Sequence, residues 1–107
     1  MKYNYSVLKD HNGYTLFKFT DELKLLEYVF EDMLTFKEPI FKEAINKVIS
    51  GQSEYEEIGG NMCSLEIRKN YTTIYSEYIS DGMLDELQVE TSGLFSMINN
   101  WLEENGL

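Results

Sequence analysis

Apolar and polar residues alternate most regularly in the middle of the C-terminal half of the chain. The alternation from Cys63 to Arg68 has the period of two that is expected of a strand with one buried face. A second strand is predicted from Thr72 to about Ile79, where β-branched and aromatic residues predominate. Residues 69–71 supply the reversal, with Asn70 best suited to a left-handed conformation. We therefore predict a β-hairpin, and Gly59-Gly60 ahead of it favours a tight turn or a bulge.

Two further strands are predicted near the N-terminus, where residues 3–9 and 14–19 are rich in Tyr, Val and Phe. Asn12-Gly13 lies between them, and this dipeptide favours the positive φ angles of a tight hairpin turn. The acidic segment from Gln52 to Ile58 fits either a short edge strand or a loop. We therefore predict a second β-hairpin near the N-terminus, in addition to the central one.

Two helices are predicted between the hairpins. Thr20 favours an N-cap for the first helix, and apolar residues recur at spacings of three and four as far as Phe36. Pro39 suits the first turn of a second helix that runs to about Ser50, and Gly51 suits its C-terminal stop. One long helix kinked at the proline is the alternative that the pattern leaves open.

A last strand and a closing helix are predicted at the C-terminus. A turn at Ser80-Asp81-Gly82 precedes a strand that ends near Glu90. Thr91 or Ser92 suits the N-cap of the helix, and Asn105-Gly106 suits its end. The elements together predict an α+β fold, in which an antiparallel sheet of about four to six strands (two hairpins plus a last strand) is packed by two central helices and a C-terminal helix.

Length and composition indicate a single ordered domain spanning residues 1–107. The hydrophobic fraction of 43% is too high for a disordered chain. No stretch approaches the roughly 20 apolar residues that cross a bilayer, and the N-terminus lacks the apolar core of a signal peptide. We therefore expect a cytoplasmic protein with no membrane partner.

The net charge of −10 is distributed unevenly. Residues 1–50 carry −1, whereas residues 51–107 carry −9. Such an acidic half disfavours nucleic acid as a partner and favours a basic protein surface. A simpler interpretation is that the acidic side chains serve only to keep the protein soluble.

No pattern of residues predicts catalysis, and we expect neither a metal nor a cofactor. The chain has one histidine, His11, in a predicted turn, and one cysteine, Cys63, on the apolar face of a strand. Nucleophilic catalysis needs an activated nucleophile beside a base. An enzyme would therefore require Cys63 to be exposed and reactive, whereas its position predicts a buried, reduced thiol.

Acidic and tyrosine side chains of the second half predict a partner-binding surface. Carboxylates would attract a basic partner, and tyrosines would supply rigid anchors that carboxylates lack. The predicted residues are Glu54, Tyr55, Glu56, Glu57, Tyr75, Glu77, Tyr78, Asp81, Asp85, Glu86 and Glu90.

Four short patterns in the second half carry a family resemblance. They are GN-x-C-S-L-E-I from Gly60 to Ile67, T-x-I from Thr72 to Ile74, E-T at Glu90-Thr91, and F-x-x-I-x-x-W-L from Phe95 to Leu102. This half resembles small acidic immunity proteins of bacterial polymorphic toxin and contact-dependent growth inhibition systems. The resemblance implies a non-enzymatic inhibitor that binds a cognate toxin domain, often a nuclease, inside the producing cell.

A regulatory or adaptor domain is the alternative function. Its partner would be unknown, and a homodimer through the tyrosine-rich edge of the sheet is one form it could take; self-association without another partner would support it.

Overall fold

The computed structural model describes residues 3–80 and 83–107, and within them it confirms the predicted α+β class. Six strands divide between a two-stranded and a four-stranded antiparallel sheet, and helices α1 and α3 contact strands of both sheets. The elements are β1 Ser6–Lys9, β2 Thr15–Lys18, α1 Lys24–Phe36, α2 Lys42–Ile49, β3 Tyr55–Gly59, β4 Ser64–Arg68, β5 Tyr71–Ser80, β6 Met83–Glu90 and α3 Thr91–Asn105.

The N-terminal hairpin forms as predicted, although its strands are shorter. Gly13 adopts a left-handed φ of 87°, and the Asp10 carboxylate accepts hydrogen bonds from the backbone N–H groups of Asn12 and Tyr14 at 2.9 Å. The indole N–H of Trp101 donates to the Thr15 carbonyl at 2.8 Å. This bond attaches β2 to the closing helix α3.

Two separate helices, rather than one kinked helix, lie between the hairpins. A short 3-10 turn, Asp21–Leu23, precedes α1, and Thr20 makes no side-chain capping bond to it. The helix ends at Lys37, whose φ of 55° is left-handed, so the chain has already turned before it reaches Pro39. The second helix begins at Lys42, later than predicted. Gly51, with a φ of 85°, follows its end as predicted.

The central hairpin forms β4 and β5 of a sheet whose order is β3-β4-β5-β6. The acidic segment supplies β3, so it forms an edge strand rather than a loop. Tyr71 begins β5, which leaves only residues 69–70 for the turn, and Asn70 does not take the predicted left-handed conformation. The turn predicted at Ser80-Asp81-Gly82 includes residues that lie outside the described part of the chain.

The core lies between the helices and one face of the four-stranded sheet. Leu65, Ile67 and Ile74 of this inner face are at most 1% exposed, as are Phe41 and Trp101 opposite them. Burying an aliphatic or phenylalanine side chain of this kind stabilises the fold by about 1.5–3 kcal/mol.

A buried carboxylate connects α1 to the loop that enters β4. Asp32 is fully buried and accepts hydrogen bonds from the backbone N–H groups of Met62 and Cys63 at 2.9 to 3.1 Å. A Cβ atom added at Gly60 would lie 2.4 Å from its Oδ2 atom. Gly60 is therefore required for this close approach and not for a left-handed turn, because its φ is not positive.

Cys63 is buried, as predicted, and forms no disulfide. Burial raises the pKa of its thiol, and the nearby carboxylate of Asp32 raises it further. The thiol is therefore held in the protonated, unreactive form.

The start of α3 corrects another prediction, because neither Thr91 nor Ser92 caps the helix. Glu90 occupies the N-cap position, and its side chain makes no capping hydrogen bond to the helix. The Thr91 hydroxyl is fully buried, donates to the Arg68 carbonyl and lies 2.8 Å from the Thr72 hydroxyl, to which it is hydrogen-bonded. It therefore connects α3 to β4 and β5. Gly106 ends the helix as predicted, with a φ of 66°.

Candidate partner-binding face

One face of the four-stranded sheet packs against the helices, and the other carries most of its exposed polar side chains. We call the second face the outer face. Strand register and the alternation of side chains assign its residues. They are Tyr55, Glu57 and Gly59 of β3; Ser64, Glu66 and Arg68 of β4; Tyr71, Thr73 and Tyr75 of β5; and Glu86, Gln88 and Glu90 of β6.

A row of stacked side chains crosses the end of the outer face. Arg68 pairs with Tyr55 across β3 and β4, and Tyr71 lies on its other side. The guanidinium carbon lies 4.8 Å from the centre of the Tyr55 ring and 5.4 Å from that of Tyr71. Each such contact contributes about 0.5–1 kcal/mol at an exposed site. Arg68 therefore supports both rings at this end of the outer face.

Two tyrosine hydroxyl groups on this face donate hydrogen bonds to glutamate carboxylates. The Tyr75 hydroxyl donates to Glu66 at 3.0 Å, and the Tyr55 hydroxyl donates to Glu57. These hydrogen bonds are the main reason why the pKa of Tyr55 is raised to about 12 and that of Tyr75 is also raised. Both phenols therefore stay neutral near pH 7.

The outer face is acidic. Its described side chains include four glutamates and one cation, Arg68, whose Nη1 atom lies 3.7 Å from the Glu66 carboxylate. The formal charge of these side chains is therefore −3. Glu57 and Glu86 are exposed at opposite edges of the face, so the negative potential extends across it.

The structure brings five of the predicted binding residues together on the outer face, which are Tyr55, Glu57, Tyr75, Glu86 and Glu90. Register places Glu56 and Asp85 on the opposite face of the sheet. Three other predicted residues are exposed elsewhere, Glu54 before β3, and Glu77 and Tyr78 beyond the part of β5 that pairs with β4. Asp81 lies outside the described residues.

Glu66, Arg68 and Tyr71, which make the contacts described above, are among the residues of this face that are absent from the predicted set. The alternation in β4 points Glu66 and Arg68 away from the apolar residues, so the sequence contained the signal for both. Tyr71 was assigned to the turn. A two-residue turn would have placed it opposite Arg68, and the stacked row would then have been visible in the sequence.

Other kinds of site find little support in residues 3–80 and 83–107. No group of three or more His, Cys, Asp or Glu side chains in this part of the chain could hold a metal ion. None of the helices described there is long and apolar enough to cross a membrane.

The fold and this face define a small α+β protein with an open, acidic sheet surface. An immunity protein of Bacillus cereus is 34% identical over 105 residues, which are 97% of this chain and 89% of that protein. The chain therefore belongs to the family of that immunity protein. No family model matches the chain, and no solved structure matches it.

Proposed function

We propose that the protein is a non-enzymatic immunity protein that binds a cognate toxin domain through its outer face and neutralises it by occlusion. The toxin would belong to a polymorphic toxin or contact-dependent growth inhibition system, with a nuclease as the expected activity. The protein would act in the cytoplasm of the producing cell. Family membership supports the class of protein, and the stacked row on the acidic outer face is the observation that carries the binding site.

Two physical properties of the outer face support the proposal: its negative charge, which complements a basic surface, and the restricted motion of its tyrosine side chains. Nuclease clefts are basic because their substrate is a polyanion, so a surface with a formal charge of −3 attracts such a cleft. Tyr55 and Tyr71 are already held by Arg68, and therefore little side-chain entropy is lost when they are buried. Attraction would speed the encounter, while the buried tyrosines would slow dissociation.

The regulatory or adaptor alternative includes a homodimer through the tyrosine-rich edge of the sheet. Two copies of a chain with a net charge of −10 would repel each other, and this repulsion opposes such a dimer.

The test is co-expression with the toxin reading frame adjacent to the gene in the source genome. We expect a stoichiometric complex in which the toxin has lost its activity, and we expect the complex to weaken as salt is added. An active toxin in the presence of excess protein would refute the proposal. Self-association of the purified chain at low salt, without toxin binding, would favour the regulatory alternative.

A further inference from the structure

Strands β5 and β6 extend beyond the rest of the four-stranded sheet. β5 has 10 residues and β6 has 8, whereas β4 has 5 and pairs with β5 only as far as Tyr75. Beyond Tyr75 the two long strands are paired only with each other in the described register. We call residues 76–80 and 83–85 the distal arm.

The distal arm exposes large apolar side chains to an unusual degree. Tyr78 is 64% exposed, Met83 70% and Leu84 61%, and Ile79 beside them is 45% exposed. Apolar side chains scattered singly over a surface need no explanation, but a contiguous group marks an interaction site. Folding of the single chain leaves these side chains exposed to solvent, so packing within the monomer does not explain why they are apolar.

The base of the distal arm is firmly anchored. The Ser76 hydroxyl donates to the Met62 carbonyl at 2.8 Å and accepts the backbone N–H of Tyr78 at 3.1 Å. The backbone N–H of Met62 is in turn bound to the buried Asp32 carboxylate at 2.9 Å. A chain of hydrogen bonds therefore runs from α1 to the base of the arm.

The surroundings of the distal arm are acidic and continuous with the outer face. An open groove is lined by Ser64 and Tyr75 of the outer face and by Tyr78 and Leu84 of the arm. Glu77 is exposed beside the apolar group.

We propose that the distal arm inserts into an apolar depression on the toxin domain, and that basic side chains of the toxin surround this depression. The inference rests on the proposed function. Charge complementarity identifies the occupant: Glu77 and the glutamates of the adjoining outer face match a basic rim, whereas a second copy of this chain, with its net charge of −10, would bring like charges together. Continuity with the outer face makes the arm and the stacked row two parts of one interface.

The test measures binding to the purified toxin domain, inactivated by substitution, with isothermal titration calorimetry. The arm variant is Met83→Ser with Leu84→Ser. The matched control is Val7→Ser with Leu8→Ser on β1, which removes two apolar side chains that are 56% and 50% exposed. We expect the arm variant to lose about 30-fold or more in affinity with its salt dependence unchanged, and the control to stay within about 3-fold of wild type. Thermal unfolding of both variants verifies that they fold.

The outcomes distinguish the inference from the proposed function. If the wild-type chain binds the toxin and the arm variant binds equally well, the arm inference is overturned while the proposed function stands. If the wild-type chain does not bind the toxin, the proposed function itself fails. Analytical ultracentrifugation supplies one further outcome: a wild-type dimer that the arm substitutions dissociate would make a second copy the occupant and would also overturn the inference.

Discussion

Arg68 is a cation at one end of an acidic face, and its role there is to position neighbouring side chains. Its guanidinium lies between two tyrosine rings and near one carboxylate. A lysine could replace the charge but not the planar stacking surface. In the proposed complex the residue would therefore prepare the face for contact, even though its charge would oppose the attraction of a basic partner.

The positioning role of Arg68 and its positive charge predict opposite effects on toxin binding, so substitutions can distinguish them. Arg68→Ala is expected to weaken toxin binding by about 5-fold or more, because Tyr55 and Tyr71 lose their common support. Lys69→Ala removes the same charge from the adjacent turn and is expected to leave binding unchanged or slightly tighter. Calorimetric titration of both variants at one salt concentration is the measurement. Equal effects of the two substitutions would contradict the positioning role.

Gly60 carries a second prediction at the scale of single residues. Gly60→Ala is expected to destabilise the fold by about 1–3 kcal/mol, since the new methyl group would lie 2.4 Å from Asp32 Oδ2 and 3.0 Å from the Phe41 ring. Gly59→Ala is the control, because the nearest atom to its Cβ would be 4.0 Å away. Urea denaturation measures both. A Gly60→Ala variant as stable as wild type would show that the loop moves freely away from Asp32.

At the scale of elements, the junction between α3 and the sheet depends on a side chain that resembles a helix cap in the sequence. Thr91 has the position and chemistry of an N-cap, yet its hydroxyl is bound to β4 and β5. The sequence could not reveal this use, because the partners Arg68 and Thr72 lie 23 and 19 residues away. Only the folded sheet brings them together.

Thr91→Val tests this junction. The substitution keeps the shape of the side chain but leaves the buried Thr72 hydroxyl without its partner, so we expect a loss of about 1–3 kcal/mol in the free energy of unfolding. Ser92→Ala removes the neighbouring exposed hydroxyl and is expected to change that free energy by less than about 0.5 kcal/mol. Chemical denaturation of both variants measures the two changes in the free energy of unfolding. If Ser92→Ala were the more damaging change, capping would be the dominant role after all.

Local patterns predicted the existence and order of the elements well, and predicted their ends less well. Both hairpins, the last strand and three helices follow from alternation, from helical spacing and from glycine stops at residues 51 and 106, whereas the acidic segment that forms β3 fitted either an edge strand or a loop. The left-handed conformation of Lys37 was not foreseen, because lysine has no preference for it. The first helix ends early at Lys37, and Phe41, which follows it, is fully buried in the core.

The candidate site was also predictable only in part, because it depends on contacts between distant parts of the chain. Tyrosines and acids could be counted in the sequence, but their sharing of a face depends on register across four strands. Glu56 illustrates the limit: it is adjacent to Glu57 and equally acidic, yet the pleat of β3 directs it to the opposite face.

At the scale of the whole molecule, the position of charge should matter more than its amount. Glu57→Gln with Glu86→Gln removes two charges from the outer face, and Glu103→Gln with Glu104→Gln removes two from the exposed end of α3. We expect the first pair to slow association with the toxin by about 10-fold at low salt, and the second pair to have a much smaller effect. Stopped-flow kinetics at several salt concentrations measures this. Equal slowing by both pairs would mean that only net charge steers the encounter.

The bond between Trp101 and the N-terminal hairpin has a practical consequence for experiments on the isolated protein. Trp101 is the chain's one tryptophan; it is fully buried, and it contacts Phe30 and the Thr15 carbonyl rather than the outer face. Its fluorescence therefore reports the docking of hairpin, α1 and α3 as an intrinsic optical probe. A red shift of its emission marks separation of these three elements, so the integrity of the scaffold can be monitored without labelling the surface proposed for recognition.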